Sequence, residues 1–162
     1  MDSDNLLILV SEIRDTQVVL TKIHLLYTSY QDVFKDEAKR DLRDAVLLAE
    51  ILCNSYTCIE TILFRISRAF ENHLDSEGWH KQLLRKMRLE IPGIRKAVLS
   101  HESYALLDEL RRFRHFKRYY YEFEYDWLRL DYLGKMYEKL APLIDQELEN
   151  YITFLLELNQ DD

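Results

Sequence analysis

Turn punctuation is nearly missing from this chain, with three Gly and two Pro in 162 residues. Sandwiches and barrels need a turn signal every ten residues or so, and a chain without them is left with helices. The length suits one domain over 1–162 that can bury a core unaided. Hydrophobic residues at 48% and charged residues at 31% form a folded composition rather than a disordered one. The longest early apolar run, Leu6 to Val10, follows acids and no basic residue, unlike a signal peptide. No stretch reads as the roughly 20 consecutive apolar residues that span a bilayer. A cytoplasmic protein without membrane contact is therefore expected. Cys53 and Cys58 have no histidine at ligand spacing, which indicates neither a zinc site nor a disulfide framework. Without a Gly-rich phosphate loop, the chain is expected to use no metal and no cofactor.

Apolar periodicity places the helices. Leu6, Val10, Ile13, Leu20, Ile23 and Tyr27 recur at helical spacing, which predicts a first helix over about 5–30. Leu52, Tyr56, Ile59, Leu63, Ile66 and Phe70 alternate by four and three, within a long helix expected from Asp36 to His73. A short basic helix follows over Trp79 to Leu89, with Pro92-Gly93 expected to stop it. A fourth helix starts after the cap candidates Ser100 and Ser103 and continues toward Tyr121. The last carries Leu133, Tyr137, Leu140, Ile144, Leu148, Tyr151 and Leu155, and Pro142 should kink or divide it. The fold class is all-α, an antiparallel bundle of four long helices plus a short one. Val46, Leu47, Ile51 and Ile62 lie beyond the main seam of the second helix. With eleven Tyr and seven Phe, they suggest a homodimer face, core filling being the commoner account.

Charge is informative once divided. The net charge is −7, yet Trp79 to Arg118 holds eleven Lys or Arg against four acids, which leaves −14 on the rest. The densest stretch contains Arg111, Arg112, Arg114, Lys117 and Arg118. On a helix Arg114, Arg118 and Tyr121 share one face, and two guanidiniums with a phenol can hold a phosphodiester. The competing account is a basic face paired with acids of neighbouring helices.

Three pieces in order carry a resemblance. They are Tyr56-Thr57-Cys58-Ile59-Glu60-Thr61-Ile62-Leu63; Trp79-His80 with Leu83-Leu84, Met87 and the Ile91-Pro92 break; and Leu107 through His115 leading to Tyr121 and Asp126. Over about residues 50–130 the chain resembles the HepT-like ribonuclease toxins of the HEPN superfamily, which are partnered with minimal nucleotidyltransferase antitoxins. The resemblance implies a HEPN-type bundle, a homodimer with motifs facing across a two-fold axis, and metal-independent cleavage of an RNA substrate. In that chemistry the ribose 2′-hydroxyl attacks the adjacent phosphorus. Arg114 falls on the family's arginine and His115 on the polar position beside it. Tyr121 falls on the tyrosine to which the antitoxin attaches AMP. Arg111, Arg112, Lys117 and Arg118 are the candidate RNA-binding residues.

The departure is Tyr119, which stands where the family has its catalytic histidine. A tyrosine titrates near 10 and is a poor base at neutral pH, so His115 or Tyr119 itself would have to move the proton. A HEPN domain that only binds RNA or a partner is the alternative. Residues five apart on an ideal helix point about 140° apart, so Arg114 and position 119 converge only in a distorted helix or across a dimer. Glu60 could orient Arg114 or Arg118, structural pairing being the plainer account. Trp79 reads as a packing anchor and His80 as exposed, while His24, His73 and His101 have no partner at a readable spacing.

Overall fold

The computed structural model describes residues 3–70, 79–119 and 125–161. Those residues form five helices and no strand: α1 (Ser3–Lys35), α2 (Leu42–Phe70), α3 (Trp79–Met87), α4 (His101–Tyr119) and α5 (Trp127–Asp161). The all-α expectation holds. α2 touches all four other helices. Its apolar surplus follows from that position, since a helix with neighbours on several sides must be apolar on several sides. Ile51 and Ile62 are buried and Val46 and Leu47 half-buried within the chain, so neighbours within the chain cover much of this surplus. By length and composition α2 could cross a bilayer, but it is mostly buried among the other helices.

The long helices fold back on one another. Arg65 of α2 reaches Glu12 of α1 at 2.8 Å, while Ser3 bonds Asn159, and Gln31 and Tyr27 bond Glu138, which sets α5 antiparallel to α1. α1 buries Leu6, Leu9, Val10, Ile13, Tyr27 and Phe34 against α2 and α5 and touches neither α3 nor α4.

Local chemistry sets the helix ends. α2 begins at Leu42 rather than Asp36, because residues 36–41 form turns that close on Asp41. The Asp41 carboxylate accepts from the backbone N–H groups of Arg43 and Asp44, and Asp44 accepts from that of Asp41, a reciprocal cap. α3 ends at Met87, five residues before Pro92, so the proline does not stop it. Its last carbonyls are taken instead by the buried Arg95, whose guanidinium donates to Lys86 at 2.9 Å and Leu89 at 2.8 Å. The N–H groups of Val98 and Leu99 cover Met87. Pro92-Gly93 makes the tight turn that aims Arg95 back: Ile94 N–H bonds Ile91 C=O, and Gly93 has φ 75°, open to glycine without penalty. Ser100 caps α4 by accepting from the N–H of Ser103, as expected. α5 runs through Pro142 undivided, although proline removes one helical donor. The cysteines are free, and burial pushes the Cys53 thiol up to about 11.

Candidate functional site

α2, α3 and α4 meet around one carboxylate. Glu60 is 4% exposed and sits one helical turn beyond Tyr56, whose hydroxyl donates to Oε1 at 2.6 Å. His80, near the start of α3, places Nδ1 2.5 Å from the same oxygen. Arg114, on α4, donates from Nη1 to Oε2 at 2.9 Å, with its guanidinium 5.6 Å from the centre of the Tyr56 ring. An unpartnered carboxylate at this depth would cost several kcal/mol, and three donors on three helices offset that cost. Burial, then the bond to Glu60, pushes the Tyr56 phenol well above the ordinary tyrosine value, which keeps it a donor. A carboxylate only accepts, so His80 meets it with Nδ1–H.

This geometry revises two readings. His80 is not an exposed residue: its side chain is 35% exposed and tied to Glu60. Glu60 holds Arg114 and not Arg118. Spacing makes the Tyr56–Glu60 bond legible in the sequence, but His80 lies twenty residues from Glu60 on another helix, and no pattern links them. His101 also has a partner, Arg88 at 3.0 Å.

The other basic residues of α4 divide. Arg111 donates to Asp108 Oδ1 at 2.8 Å and Arg112 to Oδ2 at 2.7 Å, and Arg112 reaches Glu109 as well. Burial opposes the charge of Asp108, but the bond from Arg111 and the charges of both arginines hold its carboxyl below the usual range. Lys117 pairs with Glu50 on α2. Arg118 is exposed one turn beyond Arg114 and makes no ion pair among the described residues. His115 is exposed beside Arg114. Tyr121, the side chains of Tyr119 and Trp79, and His73 lie outside the described residues. No group of three or more His, Cys, Asp or Glu suited to a metal ion occurs among those described.

A half-buried guanidinium and an imidazole thus sit on the two oxygens of one buried carboxylate, with Arg118, which makes no ion pair among the described residues, one turn away. Such a set can bind a phosphodiester and exchange a proton beside it. No curated protein and no solved structure matches the chain. A family model described as HepT-like protein matches residues 47–155, from early α2 through most of α5, and includes Glu60, His80 and Arg114. The chain belongs to the HepT-like family, within the HEPN superfamily.

Proposed function

We propose that the chain is the toxin of a toxin–antitoxin pair, an endoribonuclease that cuts RNA without a metal. We further propose that a nucleotidyltransferase antitoxin silences it by placing AMP on Tyr121. Family membership supports the toxin reading. The observation that carries the nuclease reading is the seating of Arg114 and His80 on Glu60.

In this reading the His80 imidazole takes the proton of a ribose 2′-hydroxyl. The 2′-oxygen bonds to the adjacent phosphorus, the bond from phosphorus to the 5′-oxygen breaks, and that oxygen takes a proton from water as it leaves. The products are a 2′,3′-cyclic phosphate and a 5′-hydroxyl. Arg114 holds the non-bridging oxygens and stabilises the charge that develops on them. Glu60 fixes the imidazole tautomer and stabilises the imidazolium, as the carboxylate of a hydrolase triad does. His80 therefore takes the role first considered for His115 or Tyr119, and histidine is the side chain suited to it near neutrality. Arg118 meets the flanking phosphate backbone, with Arg111, Arg112 and Lys117 contributing where their acid partners release them. AMP on Tyr121, three residues beyond Arg118 in sequence, would add a negative charge and bulk and repel RNA. The working form is a homodimer.

A second reading is a HEPN domain that only binds RNA or a partner. Tyr119 at the histidine position favours it, as does the bond that occupies one nitrogen of Arg114.

RNA cleavage in EDTA separates the two. The nuclease reading expects the parent to cut, with Arg114→Ala and His80→Asn each slower by about 10²- to 10⁴-fold. A silent parent that becomes active as Tyr119→His supports the binding reading. A parent that cuts as fast after Arg114→Ala overturns both.

A further inference from the structure

α3 and α4 pack antiparallel and share two ends. At one end His80, near the start of α3, and Arg114, late in α4, meet Glu60. At the other, Arg88, just past the end of α3, meets the first turn of α4. Its guanidinium lies 4.8 Å from the centre of the Tyr104 ring and bonds His101 Nδ1 at 3.0 Å. The rings of His101 and Tyr104 lie side by side, 6.5 Å apart and 29° from parallel. Arginine only donates, so His101 Nδ1 accepts and the ring carries its proton on Nε2. His101 is exposed and Tyr104 half-buried, and no acid pairs with Arg88 among the described residues. An arginine with no acid partner thus holds two flat rings at the surface, where the other cations of α4 nearby are closed by carboxylates.

The surface between the two ends is basic. Lys81, Arg85 and Arg88 follow one another by four and three, which places them on one stripe of α3. Lys81 and Arg85 are exposed and without an ion pair among the described residues. On α4, positions 101, 104, 108, 111, 115 and 118 alternate by three and four, so the stripe that bears the two rings continues to His115 and Arg118. Asp108 is the acid on that stripe, and Arg111 and Arg112 close it. From Arg114 back to Tyr104 the helix spans about 15 Å, several times the step between neighbouring bases of a stacked strand.

We propose that His101 and Tyr104, positioned by Arg88, form a base-stacking subsite for single-stranded RNA, whose backbone reaches it from Arg114 past Lys81 and Arg85. The proposal rests on the reading of the Glu60 cluster as the place where RNA is held. A single strand suits the subsite, because its bases can leave their stack and lie on flat side chains, whereas those of a duplex are stacked within it. A base seated on His101 also finds a donor in Nε2–H.

The full chain and a 2′-O-methyl single strand of about eight nucleotides test this. That strand lacks the attacking 2′-hydroxyl, so binding is read apart from cleavage. Removing one base at a time should weaken binding by about tenfold at one position and little elsewhere, the contribution of one stacked base. His101→Ala and Tyr104→Leu should each bind the intact strand about tenfold more weakly and lose the sensitivity to that position. Tyr104→Phe, which keeps the ring, should behave as the parent. Annealing the strand to its complement should abolish the effect of His101→Ala. A strand that binds with no position sensitive to base removal, or variants that keep the sensitivity of the parent, would overturn the subsite and leave the reading of the Glu60 cluster standing. A parent that does not bind the strand would overturn both.

Discussion

Three donors converge on Glu60, and no replacement can serve all of them as acceptor. Glu60→Gln keeps the volume but turns one oxygen into an NH2 group, which cannot accept from Tyr56, His80 or Arg114. We expect a stability loss of about 1–3 kcal/mol by urea unfolding. Tyr56→Phe, which removes one donor and leaves the carboxylate with two, should cost about 1 kcal/mol. Equal losses in the two variants would mean that Glu60 does not hold the cluster together. Asp108 offers a pH signature of a different kind. Its carboxyl titrates below the ordinary range in the folded chain, so the unfolded chain binds the proton more readily. The stability this supplies is complete above the usual carboxylate values and is lost as pH falls through the depressed one. Asp108→Asn should therefore lower the urea midpoint at neutral pH and converge on the parent in acid. A constant offset across that range would assign the effect to packing instead.

At the scale of elements, the end of α3 is the most instructive. Its carbonyls are closed by a side chain eight residues beyond its last turn, carried back on the Pro92-Gly93 turn. Arg95→Met keeps much of the side-chain volume but leaves those carbonyls without their charged donor, and we expect a loss of about 3 kcal/mol. Ser100→Ala, which removes an ordinary N-cap from α4, should cost about 1 kcal/mol. Calorimetry of the two variants checks the order, and a larger effect at Ser100 would contradict it. These ends also mark what the sequence discloses. The seam from Leu52 to Phe70 reveals α2, because periodicity is a property of one helix. The start of α2 stays hidden because the turns of residues 36–41 contain neither Gly nor Pro. The end of α3 stays hidden because its cap is tertiary. The candidate site divides in the same way. Arg114 is legible from its motif, whereas the His80–Glu60 contact exists only once α3 packs on α2. The apolar surplus of α2 is visible from sequence, but only its central position tells that neighbours within the chain cover it. The exposed face of α1, with Leu7, Ile8, Val18 and Val19, is not legible in the sequence because both of its sides are apolar and its buried side accounts for the periodicity.

For the whole molecule, charge pairing limits how the chain meets RNA. Trp79 to Arg118 carries eleven cations, but many are engaged within the fold. Arg111, Arg112, Arg114, Lys117 and Lys96 have acid partners, and Arg95 caps α3. Lys81, Arg85 and Arg118 are exposed and without an ion pair among the described residues, on two helices that pack together. Arg114 adds a fourth cation through its remaining donors. Single-stranded RNA that touches these four would release a matching set of counterions, so the logarithm of affinity should fall against that of salt with a slope of about −3. Arg118→Ala should flatten the slope by about 1 and weaken all RNA sequences alike, the signature of a phosphate contact. Arg112→Ala should leave the slope nearly unchanged, because its charge is already matched by Asp108 and Glu109. Titration of a labelled single-stranded RNA at several salt concentrations decides the point. A slope of about −8 would mean that RNA opens the ion pairs of α4 and recruits the whole basic stretch. A slope near zero would mean that the internal pairs are the purpose of these cations and that the phosphate face is absent.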